Sequence, residues 1–530
     1  MNGSILIILL SLIKLVNCYK ILIFSPSISR SHLLLNARIA DTLAGAGHDV
    51  TLLEPDFLNL YDKLQTSKIA KRVPIFGFSD AYRKAIQELS GDAFKEKSFF
   101  KTVSLNTIYI RAYSELCEDI INRDELIEQL KSEKFDAYFG EQINLCGHGL
   151  AKAIGIRTYF WISSWPIDDV ISYRIGLPMP LSYASSLIGY RLPPNPTFFQ
   201  RMWNILHSIG YIYYVTLTDR ELTNIFKRKF GNDFPNVDEI AADSDLIFVM
   251  TDEFLEVQRP RMPNFVHIGS LGLEDENDNG KLDENTAKEM EKGKDGIVYF
   301  SLGTTMNSSM LQPFVMRTVL EAAKEFPDYH FIIKIDAHDQ TAKEFSKGVD
   351  NVFVTDWVAQ RALLKHPRLR AFITHSGYNG IVESAMCGVP LVTIPFMFDQ
   401  IRNSLAVEQG GWGVGLTKEA LRDDPKMLQT ALNEVLNNDK YKKRAMRMKN
   451  LLKTKPFKAK ERLVKYTEFV LSNGGMKELI APSRHLSIIK LYNLDVYLFL
   501  IITIFVFIYI PSKLISVTLF KTNRKKRKTQ

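Results

Sequence analysis

The residues best able to act together chemically lie between Asp356 and Gln409. His375 follows an apolar run that predicts a strand, and Ser376-Gly377 predicts a turn into a helix. Asn379 lies in the first turn of that helix, where free backbone N–H groups attract phosphate, and His375 and Asn379 add side-chain donors beside them. Glu383 is four residues after Asn379 and on the same helical face, so its carboxylate can accept hydrogen bonds from a ribose diol.

Neighbouring residues complete a predicted nucleotide-sugar site. Trp357 offers a flat ring on which a base can stack, and Gln360 carries an amide able to pair with the polar edge of that base. Asp399-Gln400 follows another predicted strand and can hydrogen-bond the hydroxyls of a sugar. The pattern therefore predicts binding of a nucleotide joined to a sugar.

The order of these residues, W-x-x-Q…H-x-G-x-N-G-x-x-E…P-x-x-x-D-Q, resembles the donor signature of the UDP-glycosyltransferases, with the membrane-anchored UDP-glucuronosyltransferases matching best. The resemblance extends over nearly the whole chain and includes the Phe300-SLGTTM segment. It implies a GT-B fold, inversion at the anomeric carbon, no metal, and no cofactor, since the UDP-sugar is a co-substrate.

The resemblance also implies which ligand group each matching residue contacts. It assigns Trp357 and Gln360 to uracil, Glu383 to ribose, His375, Asn379 and Arg259 to the diphosphate with Gly377 in the turn beside them, Asp399 and Gln400 to the sugar, and Ser301 to Thr304 to a loop beside the sugar.

A candidate general base lies in the N-terminal half. His32 falls in the first predicted strand-to-helix loop, where an imidazole can take the proton of an attacking hydroxyl. The resemblance places the family's catalytic histidine on His32. Its partner carboxylate follows a strand in an FDxxxxD pattern, which makes Glu141 the predicted partner and leaves Asp136 as the alternative. Glu141 stands where the family pattern has aspartate, which is one departure from it. Ser376, where many relatives have glycine, is a second, and we expect it to leave phosphate binding intact.

Two α/β halves must position these groups. Strand, helix and strand patterns begin at residue 20 and begin again at residue 296, which favours parallel sheets covered by helices. An acidic stretch after Glu274 separates the halves, so we predict an acceptor-binding domain at 19–285 and a UDP-sugar-binding domain at 286–490. Two facing doubly wound domains place the ligand cleft between the carboxyl ends of their strands.

The two ends of the chain predict a membrane topology. Residues 1–18 have the pattern of a secretory signal peptide, with a buried first strand as the alternative. Residues 491–520 are apolar enough for a transmembrane segment, with a buried core helix as the alternative. The basic tail at 521–530 then marks the cytosolic side, giving a single-pass type I protein. Its lysines resemble an endoplasmic-reticulum retrieval signal, although a stop-transfer cluster explains the same charge.

The net charge of +8 comes from two basic segments of the chain. The tail and residues 440–465 carry more positive charge than this total, so the rest of the chain is net acidic and we expect no nucleic-acid partner. We interpret 440–465 as a solvated helical face. Of the four cysteines, removal of Cys18 with the signal leaves an odd number with no obvious disulfide framework. Asn307 begins the only glycosylation sequon after the signal peptide.

These patterns predict an endoplasmic-reticulum UDP-glucuronosyltransferase that glycosylates a hydroxyl of a small lipophilic acceptor. A UDP-glucosyltransferase on the same scaffold and a non-catalytic UDP-sugar- or lipophile-binding protein are the alternatives. Residues 60–120 and 160–215 are expected to shape the acceptor pocket. The acceptor and the oligomeric state, a homo-oligomer included, stay open.

Overall fold

The computed structural model describes residues 18–80, 83–84, 99–187, 191–273, 280–303, 308–422 and 424–526. The predicted signal peptide up to residue 17, the site residue Thr304, the sequon asparagine Asn307 and the last residues of the tail, 527–530, lie outside this range.

Thirteen strands form the described sheets. They are β1 (Lys20–Phe24), β2 (Asp49–Pro55), β3 (Lys71–Ile75), β4 (Ala137–Glu141), β5 (Thr158–Ser163), β6 (Leu246–Val249), β7 (Phe265–His267), β8 (Gly296–Ser301), β9 (Tyr329–Lys334), β10 (Val352–Thr355), β11 (Leu369–Thr374), β12 (Leu391–Thr393) and β13 (Gly413–Gly415). Central strands such as β5 are buried throughout because helices cover both faces.

The helices are α1 (Arg30–Ala44), α2 (Phe99–Ile121), α3 (Asp124–Ser132), α4 (Cys146–Ala153), α5 (Asp169–Arg174), α6 (Phe198–Phe230), α7 (Val237–Ala242), α8 (Glu284–Glu289), α9 (Pro313–Lys324), α10 (Gln340–Phe345), α11 (Gln360–Lys365), α12 (Tyr378–Cys387), α13 (Gln400–Gln409), α14 (Lys426–Asn437), α15 (Asp439–Lys453), α16 (Ala459–Ser472), α17 (Ile488–Leu491), α18 (Leu494–Ile504) and α19 (Ile510–Lys526).

Each half of the molecule is a doubly wound parallel sheet, as predicted. The first sheet has the order β3-β2-β1-β4-β5-β6-β7 and the second has the order β10-β9-β8-β11-β12-β13. In both, the chain runs outward on one side of the first strand and then returns to its other side. The resulting switch points lie between β1 and β4 and between β8 and β11, and ligands bind outside the carboxyl ends of strands at such points.

Helix α16, near the end of the predicted UDP-sugar-binding domain, packs on the first sheet. Its Leu463 and Val470 are fully buried in the same apolar cluster as Ile21 and Ile23 of β1. The predicted domain at 286–490 therefore includes a segment that returns to the N-terminal domain. The helical repeat of α16 showed an apolar face, but only the fold decides which sheet covers that face.

The basic segment at 440–465 is partly a solvated face and partly an interdomain contact. Lys455 donates to Asp252 at 2.8 Å and to Glu253 at 2.7 Å, and Arg462 reaches Glu253 at 2.9 Å. Lys455 is only 12% exposed. The interpretation as a solvated face was wrong for these two residues, because their acidic partners are about 200 residues earlier in the chain.

A disulfide joins Cys117 in α2 to Cys146 at the start of α4, with their Cα atoms 5.7 Å apart. Both cysteines are buried. The expectation of no disulfide framework was wrong, since the odd cysteine, Cys387, is simply the free one. The pairing depends on how α2 packs beside the loop after β4, which the cysteine spacing does not reveal.

One helix in the described part of the chain is long and apolar enough to cross a membrane. It spans Leu494–Lys521, with a mean hydropathy of 2.4 and none of its apolar window buried in the protein. Pro511 lies inside it and does not end it. A π-helical turn, Phe505–Tyr509, lies just before this proline. Such a wider turn accommodates the proline ring and its missing N–H within a continuous helix.

Candidate active site

The acceptor side of the cleft is built at the β1/β4 switch point. His32 is the third residue of α1, in its first turn. The prediction that it lies in the loop before the helix was wrong, because the helix begins two residues earlier, at Arg30. Ser29 caps this helix by accepting the His32 backbone N–H at 3.4 Å. Glu141 is the last residue of β4. The parallel pairing of β1 with β4 therefore brings the two side chains together although 109 residues separate them.

The two side chains form a carboxylate–histidine pair. His32 Nδ1 lies 2.5 Å from Glu141 Oε2, and the Glu141 side chain is only 2% exposed. Asp136, the alternative partner, is five residues earlier in the chain, before β4 begins, and so about 16 Å away along an extended strand. There it accepts the backbone N–H of Lys20 at 2.8 Å.

Asn36 holds the other oxygen of this carboxylate and was missed by the sequence analysis. Its amide donates to Glu141 Oε1 at 2.7 Å and to Ser25 Oγ at 3.2 Å. The residue is fully buried. Asn36 is four residues after His32, so both project from one face of α1. The available signal in the sequence was an asparagine four residues after the candidate base.

Electrostatics raise the pKa of His32. Burial alone would lower that pKa, but the negative charge of Glu141, its hydrogen bond and the carboxylate of Asp399 more than offset burial. Glu141 thus orients the ring and stabilises the imidazolium that forms when Nε2 takes a proton. Because Asp399 belongs to the second sheet's domain, its effect on His32 shows that the two halves of the site face each other.

The donor side is built at the carboxyl end of β11. Ser376 follows with φ 69°, a left-handed conformation that glycine adopts without strain. Serine at this position is therefore less favourable than glycine would be. Gly377 is the N-cap residue of α12, and Asn379 is the exposed second residue of that helix. The predicted order of strand, turn and helix is therefore present, and phosphate binding at this turn stays a prediction.

The His375 ring packs between two glycines. A Cβ at Gly303 or at Gly377 would lie 2.5 Å from a ring atom of His375. Burial and the nearby Lys334 lower the pKa of His375 to about 4, so the ring is neutral at physiological pH. Its buried Nδ1 has no hydrogen-bond partner. Lys334, the last residue of β9, was missed because a single lysine at a strand end carries no motif.

The residues predicted to bind the base and the ribose are adjacent. Gln360 begins α11 and donates to Glu383 Oε2 at 2.6 Å, while Tyr299 OH donates to the Gln360 side-chain oxygen at 3.2 Å. Burial raises the pKa of Glu383, partly offset by that hydrogen bond from Gln360. Trp357 is 64% exposed, with Lys334 Nζ 5.7 Å from the ring centroid. The ring face is thus available for stacking.

The residues predicted to bind the sugar lie at the start of α13. Asp399 immediately precedes this helix and accepts a hydrogen bond from Asn403 at 2.7 Å. Burial raises the pKa of Asp399 to about 6, while that hydrogen bond and His32 oppose the rise. Gln400 accepts backbone N–H bonds from Phe396 and Met397 through its side-chain oxygen. This bonding fixes the loop that presents Asp399.

Two predicted site residues have other contacts. Arg259 donates to the Ile167 carbonyl and, at 3.2 Å, to Ser172 Oγ, both in the first domain. Its diphosphate role stays a prediction. Ser301 ends β8, is buried and accepts the Gly303 N–H at 3.2 Å. Thr304 lies outside the described residues.

Several solved glycosyltransferase structures have the same two-sheet arrangement. A structure of Os79 from O. sativa in complex with U2F and trichothecene matches with a TM-score of 0.59 at 16% identity, covering 85% of this chain and 100% of that one. The glycotransferase of kitacinnamycin matches with a TM-score of 0.58 at 18% identity, covering 86% and 98%. The architecture is therefore GT-B, the fold of a glycosyltransferase with a cleft between two domains.

The sequence comparisons are more specific. The family described as "UDP-glucoronosyl and UDP-glucosyl transferase" matches residues 20–529. A Caenorhabditis elegans protein named "Putative UDP-glucuronosyltransferase ugt-47" is 43% identical, over 93% of this chain and 92% of its own length. Human UDP-glucuronosyltransferase 1A3 is 28% identical, over 92% and 89%. The chain belongs to this family of UDP-sugar-dependent transferases.

Proposed function

We propose that the protein transfers glucuronate from UDP-glucuronate to a hydroxyl of a small lipophilic acceptor, with inversion and without a metal. The observation that carries this proposal is the His32–Glu141 pair, 2.5 Å apart and close enough to Asp399 of the donor side for the two halves to influence each other's pKa. A base held by one domain beside the sugar position of the other is the arrangement a direct transfer requires.

In the proposed reaction the acceptor oxygen attacks the anomeric carbon from the face opposite the UDP group. The new C–O bond forms as the bond from the anomeric carbon to the phosphate oxygen breaks, and His32 Nε2 takes the hydroxyl proton. The negative charge that develops on UDP is met by the N–H groups at the start of α12 and by Asn379. Lys334 adds a positive charge near His375.

Glucose is the second donor candidate, because the family description names both transferases. The names of the relatives favour glucuronate. A donor panel on microsomes decides: initial rates with UDP-glucuronate and UDP-glucose are compared across phenol and steroid acceptors, with His32→Ala microsomes as the control. Higher kcat/KM for UDP-glucose would reject glucuronate. UDP binding without transfer from either donor would instead favour a binding protein.

We further propose a single-pass type I protein of the endoplasmic-reticulum membrane with both domains in the lumen. The long apolar helix and the basic tail support the span and its direction. The Cys117–Cys146 disulfide supports an oxidising compartment. Protease protection of the two domains in sealed microsomes, with exposure of a C-terminal tag, tests the topology.

An apolar face of α6 also supports placement against a bilayer. Nine large apolar side chains in the stretch from Phe198 to Leu217 are exposed: Phe198, Phe199, Met202, Trp203, Ile205, Leu206, Ile209, Tyr213 and Leu217. Ser208 of the same helix contacts Met179, whose backbone N–H donates to Tyr492 OH at 3.0 Å, two residues before the span begins. The helix thus lies beside the point where the chain enters the membrane.

A further inference from the structure

Arg402 joins the two domains next to the proposed reaction centre. It lies on α13, three residues after Asp399, and is 5% exposed. Its guanidinium donates to the Ser185 carbonyl at 2.6 Å, the Ile167 carbonyl at 2.8 Å and Asp169 Oδ1 at 2.6 Å. All three acceptors belong to the first domain, so one side chain of the donor domain is held by a buried set of partners in the acceptor domain.

On the donor side, the next residue of the same helix holds the ligand-binding loops. Asn403 donates to Asp399 Oδ2 at 2.7 Å and to the Ser376 carbonyl at 3.0 Å. Adjacent positions of α13 therefore connect the first domain, the sugar-side carboxylate and the turn after His375. A shift of this helix would move all of them together.

On the acceptor side, the segment that Arg402 contacts also contacts the proposed base, His32. Trp165 donates its indole N–H to Asp168 at 3.2 Å, and its ring lies edge-on to His32 with 6.3 Å between centroids. Asp168 also caps α5, which begins with Asp169. Arg402 and the His32 ring thus both contact the short segment from Trp165 to Asp169.

The ion pair between Arg402 and Asp169 is buried, and it affects the pKa of Asp169. Burial alone would raise the pKa of Asp169, but the Arg402 charge and the Ser186 hydroxyl more than offset it, and the pKa is lowered. Ser186 Oγ donates to Asp169 Oδ2 at 2.5 Å, so both carboxylate oxygens are bonded. Removing one member would leave a buried charge without its partner, which costs more than the loss of an exposed pair.

We propose that Arg402 is a positioning residue that fixes the donor helix α13 against the acceptor domain and so sets the geometry between His32 and the sugar of the bound donor. The inference rests on the proposed transferase function. Its role is geometric: Arg402 orders the cleft and takes no proton. Misplacement of reacting groups by about 1 Å is enough to lower turnover by about 100-fold.

The test compares Arg402→Met and Arg402→Lys with a control variant that removes an interdomain contact to the other end of the same helix. Lysine keeps the charge and the burial of the stem but cannot make the three-way donation. The control is Arg191→Met, which removes the interdomain pair with Glu408. For each full-length enzyme in nanodiscs, kcat, the Kd for UDP and the melting temperature are measured.

We expect kcat to fall about 100-fold in Arg402→Met and about 10-fold in Arg402→Lys, with the Kd for UDP within about threefold of wild type. Arg191→Met should keep kcat within about threefold. A lower melting temperature with unchanged kcat in the Arg402 variants would show a merely structural role and overturn the proposal. Equal loss of kcat in the Arg191 control would also overturn it.

A distance measurement separates this proposal from the proposed function. Spin labels at Ser132→Cys and Lys347→Cys, both exposed and in different domains, report the interdomain distance in a background lacking Cys18 and Cys387. Arg402→Met should broaden the distance distribution and Arg191→Met should not. An unchanged distribution in Arg402→Met overturns the positioning role, whether or not any donor has been found. Wild-type inactivity with all donors counts only against the proposed function.

Discussion

The acceptor and donor sides of the cleft differ in how complete they are without a ligand. On the acceptor side, His32 and both oxygens of Glu141 already have protein partners. On the donor side, Trp357 is mostly exposed and the buried Nδ1 of His375 has no partner. The His32–Glu141 pair is thus hydrogen-bonded before any ligand is present, although the buried Oδ1 of its neighbour Asn36 has no partner, whereas the ring of Trp357 is open to solvent.

The difference follows from what each side does. A general base needs the correct tautomer and orientation before the acceptor arrives, and these are set by protein groups. A donor site gains affinity from contacts made only when the nucleotide is present, such as a base stacked on an exposed ring. Changes on the acceptor side should therefore alter turnover, and changes on the donor side should alter UDP affinity.

The strongest test of this division is His32→Ala. We expect kcat to fall roughly 10³- to 10⁴-fold because the acceptor hydroxyl loses its base, while the Kd for UDP, measured by calorimetry, stays near the wild-type value. Activity within tenfold of wild type would remove His32 from its assigned role. A parallel loss of UDP affinity would break the division between the two sides.

Glu141→Gln should lower kcat by roughly 10²- to 10³-fold, because the amide still accepts from the ring but no longer stabilises imidazolium. Glu141 raises the pKa of His32, so its replacement should lower that pKa. His32 must be neutral to act, and the acid limb of the kcat/KM profile should therefore move to lower pH. An acid limb that stays in place or moves upward would contradict the assignment. Asp136→Asn, before β4, is the control and should leave the profile unchanged.

Trp357→Ala should act in the opposite way and raise the Kd for UDP by about 10- to 100-fold, as expected for loss of one stacked base. We expect kcat at saturating donor to change much less. Trp357→Phe keeps an aromatic face and should recover most of the affinity. Unchanged UDP binding in the alanine variant would show that uracil does not stack on this ring.

Ser376→Gly has the smallest expected effect. Serine at φ 69° is strained, and its buried Oγ has no hydrogen-bond partner. Glycine should raise the free energy of unfolding by about 0.5–1 kcal/mol with no change in the Kd for UDP. Ser384→Gly is a matched control, because Ser384 is also buried with an unpaired Oγ but lies inside α12. There glycine should destabilise by about 0.5–1 kcal/mol. Both are measured by denaturant unfolding.

Much of the fold was predictable because it depends on local patterns. Apolar runs of strand length alternating with helical repeats indicated two doubly wound sheets, and both sheets have that topology. The turn from His375 into α12 was likewise readable, since strand end, turn and helix start are consecutive in the chain. The boundary error at His32 is of the kind expected where a helix begins, because the Ser29 cap was not recognised.

The remaining parts of the site depend on contacts between distant segments. Asn36, Lys334 and Arg402 carry no motif, and each acquires its place through a neighbour from another strand, helix or domain. The return of α16 to the first sheet and the pairing of Cys117 with Cys146 are similar cases.

The sequence by itself predicted a nucleotide-sugar site and the order of its donor residues, because these depend on residue types at short spacing, and the resemblance to the family supplied the candidate base. Only the tertiary structure decided that Asn36 holds the second oxygen of Glu141, that Asp399 faces His32 across the cleft, and that Arg402 ties the two domains together. The physical reason is that these contacts form when the parallel strands and the two domains have packed. Hydrophobic periodicity records which face of an element is buried but not which distant side chain will meet it there.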